Sequence, residues 1–195
     1  MKAQIPNLLT ALRLILCLVM CAAFVLLAGY AHDRSYPLTA NLMAQVALVS
    51  FVVAAVTDFF DGWLARKWNV VSTFGAIMDP IADKVLVCGA ILGLLAVGTQ
   101  GILVPSFVIL FREFGVSAMR EVLAPRGIKL PVTFLAKTKT TLQLVALALL
   151  MAVSFWTFSP PVRLAAQVLY GFAAAVTLWT GIEYAMAARK ALRVA

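Results

Sequence analysis

Residues 14–29 form an apolar run with no charge in it, and further runs of similar or greater length follow along the chain. About 18 to 20 such residues in a helix cross the hydrocarbon core of a bilayer. Hydrophobic residues make up 64% of the 195, and charged ones only 12%, which excludes an ordinary soluble domain. The chain is therefore expected to be an all-α integral membrane protein. Six transmembrane helices are read at about 8–30, 40–61, 79–98, 102–122, 138–157 and 164–187, after a short interfacial segment over 1–7, all in a single domain of residues 1–195. Breakers separate the spans at residues 32–37, 68–73, 98–101 and 125–131, and at Ser159-Pro160-Pro161. The first run reads as a retained helix and not a signal peptide, because Pro6, Asn7, Thr10 and Arg13 precede it and no small-residue cleavage site follows.

Charge orients this arrangement. Of the sixteen Lys and Arg residues, only Arg34 and Arg163 fall on the side of the membrane opposite the rest. That bias predicts a multi-pass protein of the cytoplasmic (inner) membrane with both termini in the cytoplasm. The net charge of +8 sits in loops between apolar spans, where it suits anionic membrane lipids and anionic substrates; no nucleic-acid partner is expected. Cys17, Cys21 and Cys88 lie in apolar helical stretches and read as packing residues.

Against this background, residues 58–83 hold four of the eight acids: Asp58, Asp61, Asp79 and Asp83. On a helix, Asp58 and Asp61 point about 60° apart, and Asp79 and Asp83 about 40° apart, so each pair shares a face. Carboxylates that converge without a cation repel, and their oxygens are the ligands that hard divalent cations such as Mg²⁺ or Mn²⁺ prefer. Gly62, Ala65 and Gly75 leave room for a bulky group, and Arg66 offers a fixed fork for phosphate. Together they suggest metal-assisted phosphoryl chemistry at the cytoplasmic ends of the spans. The bland alternative is four unrelated acids capping helices at a membrane surface.

The pattern D-x2-D-G-x2-A-R-x8-G-x3-D-x3-D resembles the signature of the CDP-alcohol phosphotransferases at every position. The block from Asp79-Pro80 to Asp83-Lys84 and three further stretches are similar to the phosphatidylglycerophosphate synthase branch of that family. Those three are the run from Pro6 through Asn7 and Thr10 to Arg13, the pair Arg112-Glu113, and K-T-K-T-T-x-Q from Lys137 to Gln143.

The resemblance implies transfer of a phosphatidyl group from CDP-diacylglycerol to sn-glycerol 3-phosphate by a homodimer whose polar cavity opens to the cytoplasm. It implies two divalent cations held by Asp58, Asp61 and Asp79, with Asp83 as general base and a further metal contact. Asn7, Gly62, Ala65, Arg66 and Gly75 would join the two first aspartates around the CDP group. Thr10, Arg112, Arg120, Lys137 and Lys139 would bind the acceptor's phosphate.

Simpler readings stand beside these. Arg13 suits snorkelling to headgroups, Asn7 and Thr10 suit helix capping, and Arg112 suits pairing with Glu113. The lysines before residue 140 suit a solvated helix end, and Trp156, Trp179 and Tyr184 read as interface or packing aromatics. The same chemistry with phosphatidylglycerol, inositol phosphate or serine as acceptor is an alternative, which the number of basic residues disfavours. A divalent-cation transporter is another, disfavoured because the acids cluster on one side.

Overall fold

A computed structural model describes residues 4–32, 37–68, 73–126 and 134–194, with side chains described for 7–30, 37–60, 75, 77–125 and 138–193. Six helices account for nearly all of them: α1 (Gln4–His32), α2 (Pro37–Trp68), α3 (Thr73–Ala96), α4 (Leu103–Leu123), α5 (Phe134–Phe155) and α6 (Pro160–Val194). No strand occurs among the described residues. Each expected span lies largely on one helix; α1, α2 and α6 extend past their spans at both ends, whereas the spans at 79–98 and 138–157 run two residues beyond the ends of α3 and α5.

One start differs in a way that matters. Asp79-Pro80 reads as the opening of a helix, yet α3 begins at Thr73 and carries Pro80 inside it. The two acids of α3 therefore do not sit at a helix N-terminus. Pro80 removes one backbone hydrogen bond from the helix interior, in the turn that presents Asp79 and Asp83.

The exterior is apolar. Leu18, Val25, Val104, Phe111, Val168 and Trp179 are each more than 60% exposed. A soluble monomer does not present so much hydrocarbon to water, so these faces belong against lipid. Among the described residues, four helical stretches are long and apolar enough to cross a membrane: Asn7–Tyr30, Pro37–Phe60, Thr138–Phe155 and Pro160–Arg193. α3 and α4 instead carry Asp79, Asp83 and Lys84, and Arg112, Glu113, Arg120 and Glu121. The chain is a multi-pass membrane protein.

The helices gather into two compact units, Met1–Thr99 with Met151–Thr157, and Gln100–Leu150 with Phe158–Ala195. In the first, α1 packs on α2 and α3. Its buried stripe is Thr10, Arg13, Cys17, Met20, Phe24 and Leu27, at alternating spacings of three and four residues. Ala44, Ala47, Phe51 and Ala54 of α2 repeat that rhythm, and Ala82, Leu86, Ala90 and Leu94 line α3. Small residues on α2 and α3 bring the backbones close, which is how helices associate where lipid removes the hydrophobic drive.

Gly89 and Gly93 set that distance. A Cβ on Gly89 would lie 2.8 Å from Cys21 Sγ, and one on Gly93 would meet the ring of Phe24. The Gly89-xxx-Gly93 pair thus serves the α1–α3 contact within the chain. Gly93→Ala should lower the melting temperature in detergent by about 5 °C, since the buried ring has to move; unchanged melting would show that α1 has slack here. At its C-terminus α3 closes with Gly98 at φ +81°, while the Thr99 and Gly98 amides donate to Leu94 and Leu95 carbonyls. Glycine is the residue that adopts this left-handed cap without strain.

In the second unit α4 packs on α6. Ser106, Ile109, Arg112 and Val116 face Tyr170, Ala173, Thr177 and Thr180 in the buried sets of the two helices. Ser106 and Tyr170 hydroxyls bond at 2.9 Å in the interior. Thr177 and Thr180 donate to Ala173 and Thr177 carbonyls of their own helix, so no buried hydroxyl among these four lacks a partner.

Candidate active site

In the first unit, the α1 stripe that buries Cys17 and Met20 continues one and two turns towards the N-terminus with Arg13 and Thr10. Both are polar residues in core positions, 0% and 2% exposed, and both reach the acids of the neighbouring helices. Arg13 Nη1 lies 2.6 Å from Asp58 Oδ1 on α2 and donates to Asp83 Oδ1 on α3 at 3.2 Å. Thr10 Oγ1 donates to Asp79 Oδ1 at 2.8 Å. Three acids of the motif, from two helices, are thus gathered by two residues of a third. Helix periodicity alone places each acid pair on a face; α1 is what brings the faces together.

The remaining expected residues of this unit are placed less fully. Asn7 is half-buried on α1, and Gly75 is buried in the first turns of α3. Asp61, Gly62, Ala65 and Arg66 lie on α2, but their side chains fall outside the described residues. Thr10 is read from the sequence as an acceptor-phosphate ligand. The structure puts it on Asp79, among the acids.

Carboxylate oxygens of Asp58, Asp79 and Asp83 are a donor set for a hard divalent cation in kind. Two of the three come within 3.2 Å of one nitrogen, which shows that they share a positive focus. Among the described residues, no three acidic, His or Cys side chains already close on one point. Asp61 is outside that set.

The second unit gathers the cations. Arg112 is 9% exposed and Lys139 2%, while Arg120 is exposed. Charge at such depth requires partners. Lys139 Nζ donates to Glu113 Oε1, and Arg112 Nη1 lies 3.7 Å from the same oxygen. Arg120 Nη2 donates to Tyr184 Oη at 2.9 Å. Both guanidinium groups stand over the Tyr184 ring, at 5.5 Å for Arg112 and 5.2 Å for Arg120. The ring face attracts both and lets two like charges sit near each other. Gly181, one turn before Tyr184, gives the Arg112 stem its room, since a Cβ there would come 2.8 Å from Arg112 Cγ. Lys137 lies on α5 with its side chain outside the described residues.

Sequence reasoning gives Tyr184 only an interface or packing role and Arg13 only a snorkelling one, and it pairs Glu113 with Arg112 without finding Lys139. The signal for Arg13 is present: an arginine at the same spacing as Cys17 and Met20 belongs to the buried stripe. Tyr184 offers no comparable signal, because a tyrosine near a helix end is ordinary at a membrane interface.

A lipid-facing α-helical chain that gathers three of the motif acids around Arg13 and Thr10, and its basic residues around Glu113 and Tyr184, has a recognised family. The CDP-alcohol phosphatidyltransferase profile matches residues 3–179, and the chain belongs to that family. Among curated relatives, the "CDP-diacylglycerol--glycerol-3-phosphate 3-phosphatidyltransferase" of Escherichia coli (strain K12) is 40% identical over 192 residues, covering 97% of each chain. Proteins of the same name from Haemophilus influenzae and Rickettsia felis are each 36% identical, the first over 98% of this chain and 97% of its own, the second over 96% of both.

Proposed function

We propose that the protein transfers the phosphatidyl group of CDP-diacylglycerol to sn-glycerol 3-phosphate, giving phosphatidylglycerophosphate and CMP. The observation that carries this reading is the meeting of Asp58, Asp79 and Asp83 with Arg13 and Thr10, which joins residues far apart in the family motif. The near-full-length likeness to relatives named for that reaction supports the acceptor.

In this reading Asp58, Asp61 and Asp79 hold two divalent cations, Mg²⁺ or Mn²⁺, and Asp83 borders them. When bound, these ions neutralise the diphosphate and stabilise the departing CMP. The chain's own residues do the rest. Asp83 takes the proton of the acceptor hydroxyl as its oxygen attacks the phosphatidyl phosphorus. The bond from that phosphorus to the CMP oxygen breaks, and CMP leaves with the electron pair. Asn7, Gly62, Ala65 and Gly75 line the cytidine and ribose, and Arg66 grips the diphosphate. Arg112, Arg120, Lys137 and Lys139 bind the acceptor's phosphate. A dianionic acceptor explains why the second unit concentrates cations over one tyrosine ring; neutral or zwitterionic alcohols need no such cluster.

In this reading the protein is a homodimer, each chain a single catalytic domain that crosses the cytoplasmic membrane six times. Both termini and the polar cavity then lie on the cytoplasmic side, open to water-soluble glycerol 3-phosphate. Treatment of the purified protein with EDTA should abolish CMP release, and Mg²⁺ or Mn²⁺ should restore it. Full turnover in the chelator would remove the cations from the account.

A further inference from the structure

We propose that Arg13 is the internal counter-charge of the aspartate cluster, a positioning residue that holds Asp58 and Asp83 together when no cation does. Its role as a partner of cation ligands rests on the proposed function; its role as a counter-charge rests on geometry alone. The guanidinium is fully buried, and one nitrogen, Nη1, is shared by carboxylates of α2 and α3. A headgroup-snorkelling arginine would instead be exposed at its tip. Three residues earlier on the same face, Thr10 fixes Asp79. α1 therefore carries a two-residue clasp, and the Gly89 and Gly93 contacts with Cys21, Met20 and Phe24 seat it at a fixed height against α3.

The physical need is plain. Carboxylates brought together by helix packing repel one another, and a buried arginine left without acids is equally unfavourable. Each side therefore stabilises the other in the cation-free protein. A bound divalent cation supplies more positive charge than Arg13 does. With a cation bound, the arginine would still orient the carboxylates but would no longer neutralise them alone.

Thermal unfolding of the full chain in detergent with EDTA, followed by tryptophan fluorescence, tests this with wild type, R13Q, R13K and R13Q/D58N. R13Q should melt about 5 °C below wild type, a loss kept moderate by the partial exposure of both acids. R13Q/D58N should regain at least half of that loss, because the stranded carboxylate has been removed. R13K, with the charge but not the fork, should fall between wild type and R13Q. Added MnCl₂ should raise the melting temperature of R13Q by more than that of wild type.

Equal melting of R13Q and wild type in EDTA overturns the proposal, as does a loss that D58N leaves unrelieved. Should R13Q fail to fold, a folded R13Q/D58N supports the counter-charge and an equally unfolded one contradicts it. Rescue by D58N with no response of any variant to Mn²⁺ upholds Arg13 and sinks instead the assignment of cations to these aspartates.

Discussion

Asp83→Asn lowers acceptor-dependent CMP release by about 1,000-fold, the range in which loss of a positioned general base falls. The amide keeps the size of the side chain and an oxygen for Arg13 Nη1, now 3.2 Å from Asp83 Oδ1, but it cannot take a proton. The Asp83 side chain is 56% exposed, which leaves it open to a water-borne alcohol. Because the change leaves the donor's contacts in place, the KM for CDP-diacylglycerol should move little while kcat collapses. Steady-state CMP release by the variant over a range of both substrates measures this. Turnover within tenfold of wild type would remove Asp83 from the proton step. Asp58→Asn should cost a similar factor with a different signature: part of its loss should be recovered at high Mg²⁺, since a weakened ligand can be offset by cation concentration.

The second large effect concerns the acceptor. Arg112→Ala or Arg120→Ala should lower kcat/KM for glycerol 3-phosphate by about 30-fold, as expected for one lost charge-assisted contact to phosphate. Most of that should appear in the KM for glycerol 3-phosphate, with the KM for CDP-diacylglycerol within about threefold of wild type. Arg120 is the cleaner of the two. Arg112 is buried and its stem fills the space beside Gly181, so its removal also leaves a gap. Tyr184→Phe keeps the ring under both guanidinium groups and loses only the hydroxyl that holds Arg120, so a change of about threefold is expected. An equal rise in both KM values would show that these arginines support the fold and not the acceptor.

How much of this was legible beforehand follows from what periodicity encodes. Apolar runs and the prolines and glycines between them mark six helices, because both signals are local to the helix concerned. Asp58 and Asp83 stand out for the same reason: charges at helical spacing inside apolar sequence can be read from one segment. Local signals stop at the helix surface. Nothing in α1 names the carboxylates opposite Arg13 and Thr10, and nothing in α6 says that Tyr184 lies beneath arginines from α4. Those partners are set by which helices pack and at what height. The α3 start misleads for a related reason: Asp79-Pro80 has the local form of a helix opening, but residues 73–78 are already helical and the proline is tolerated within the helix. Gly89 and Gly93 show the converse. Their spacing announces a close helix contact, and only the structure shows that α1 makes it.

The most direct test of the central claim is CMP release from CDP-diacylglycerol by the purified protein in detergent with Mg²⁺. Separate reactions would contain glycerol 3-phosphate, serine, inositol phosphate, phosphatidylglycerol or no acceptor. Release that requires glycerol 3-phosphate, with phosphatidylglycerophosphate as the lipid product, is the predicted result. Release with another acceptor, and none with glycerol 3-phosphate, would contradict the role given to the arginines over Tyr184.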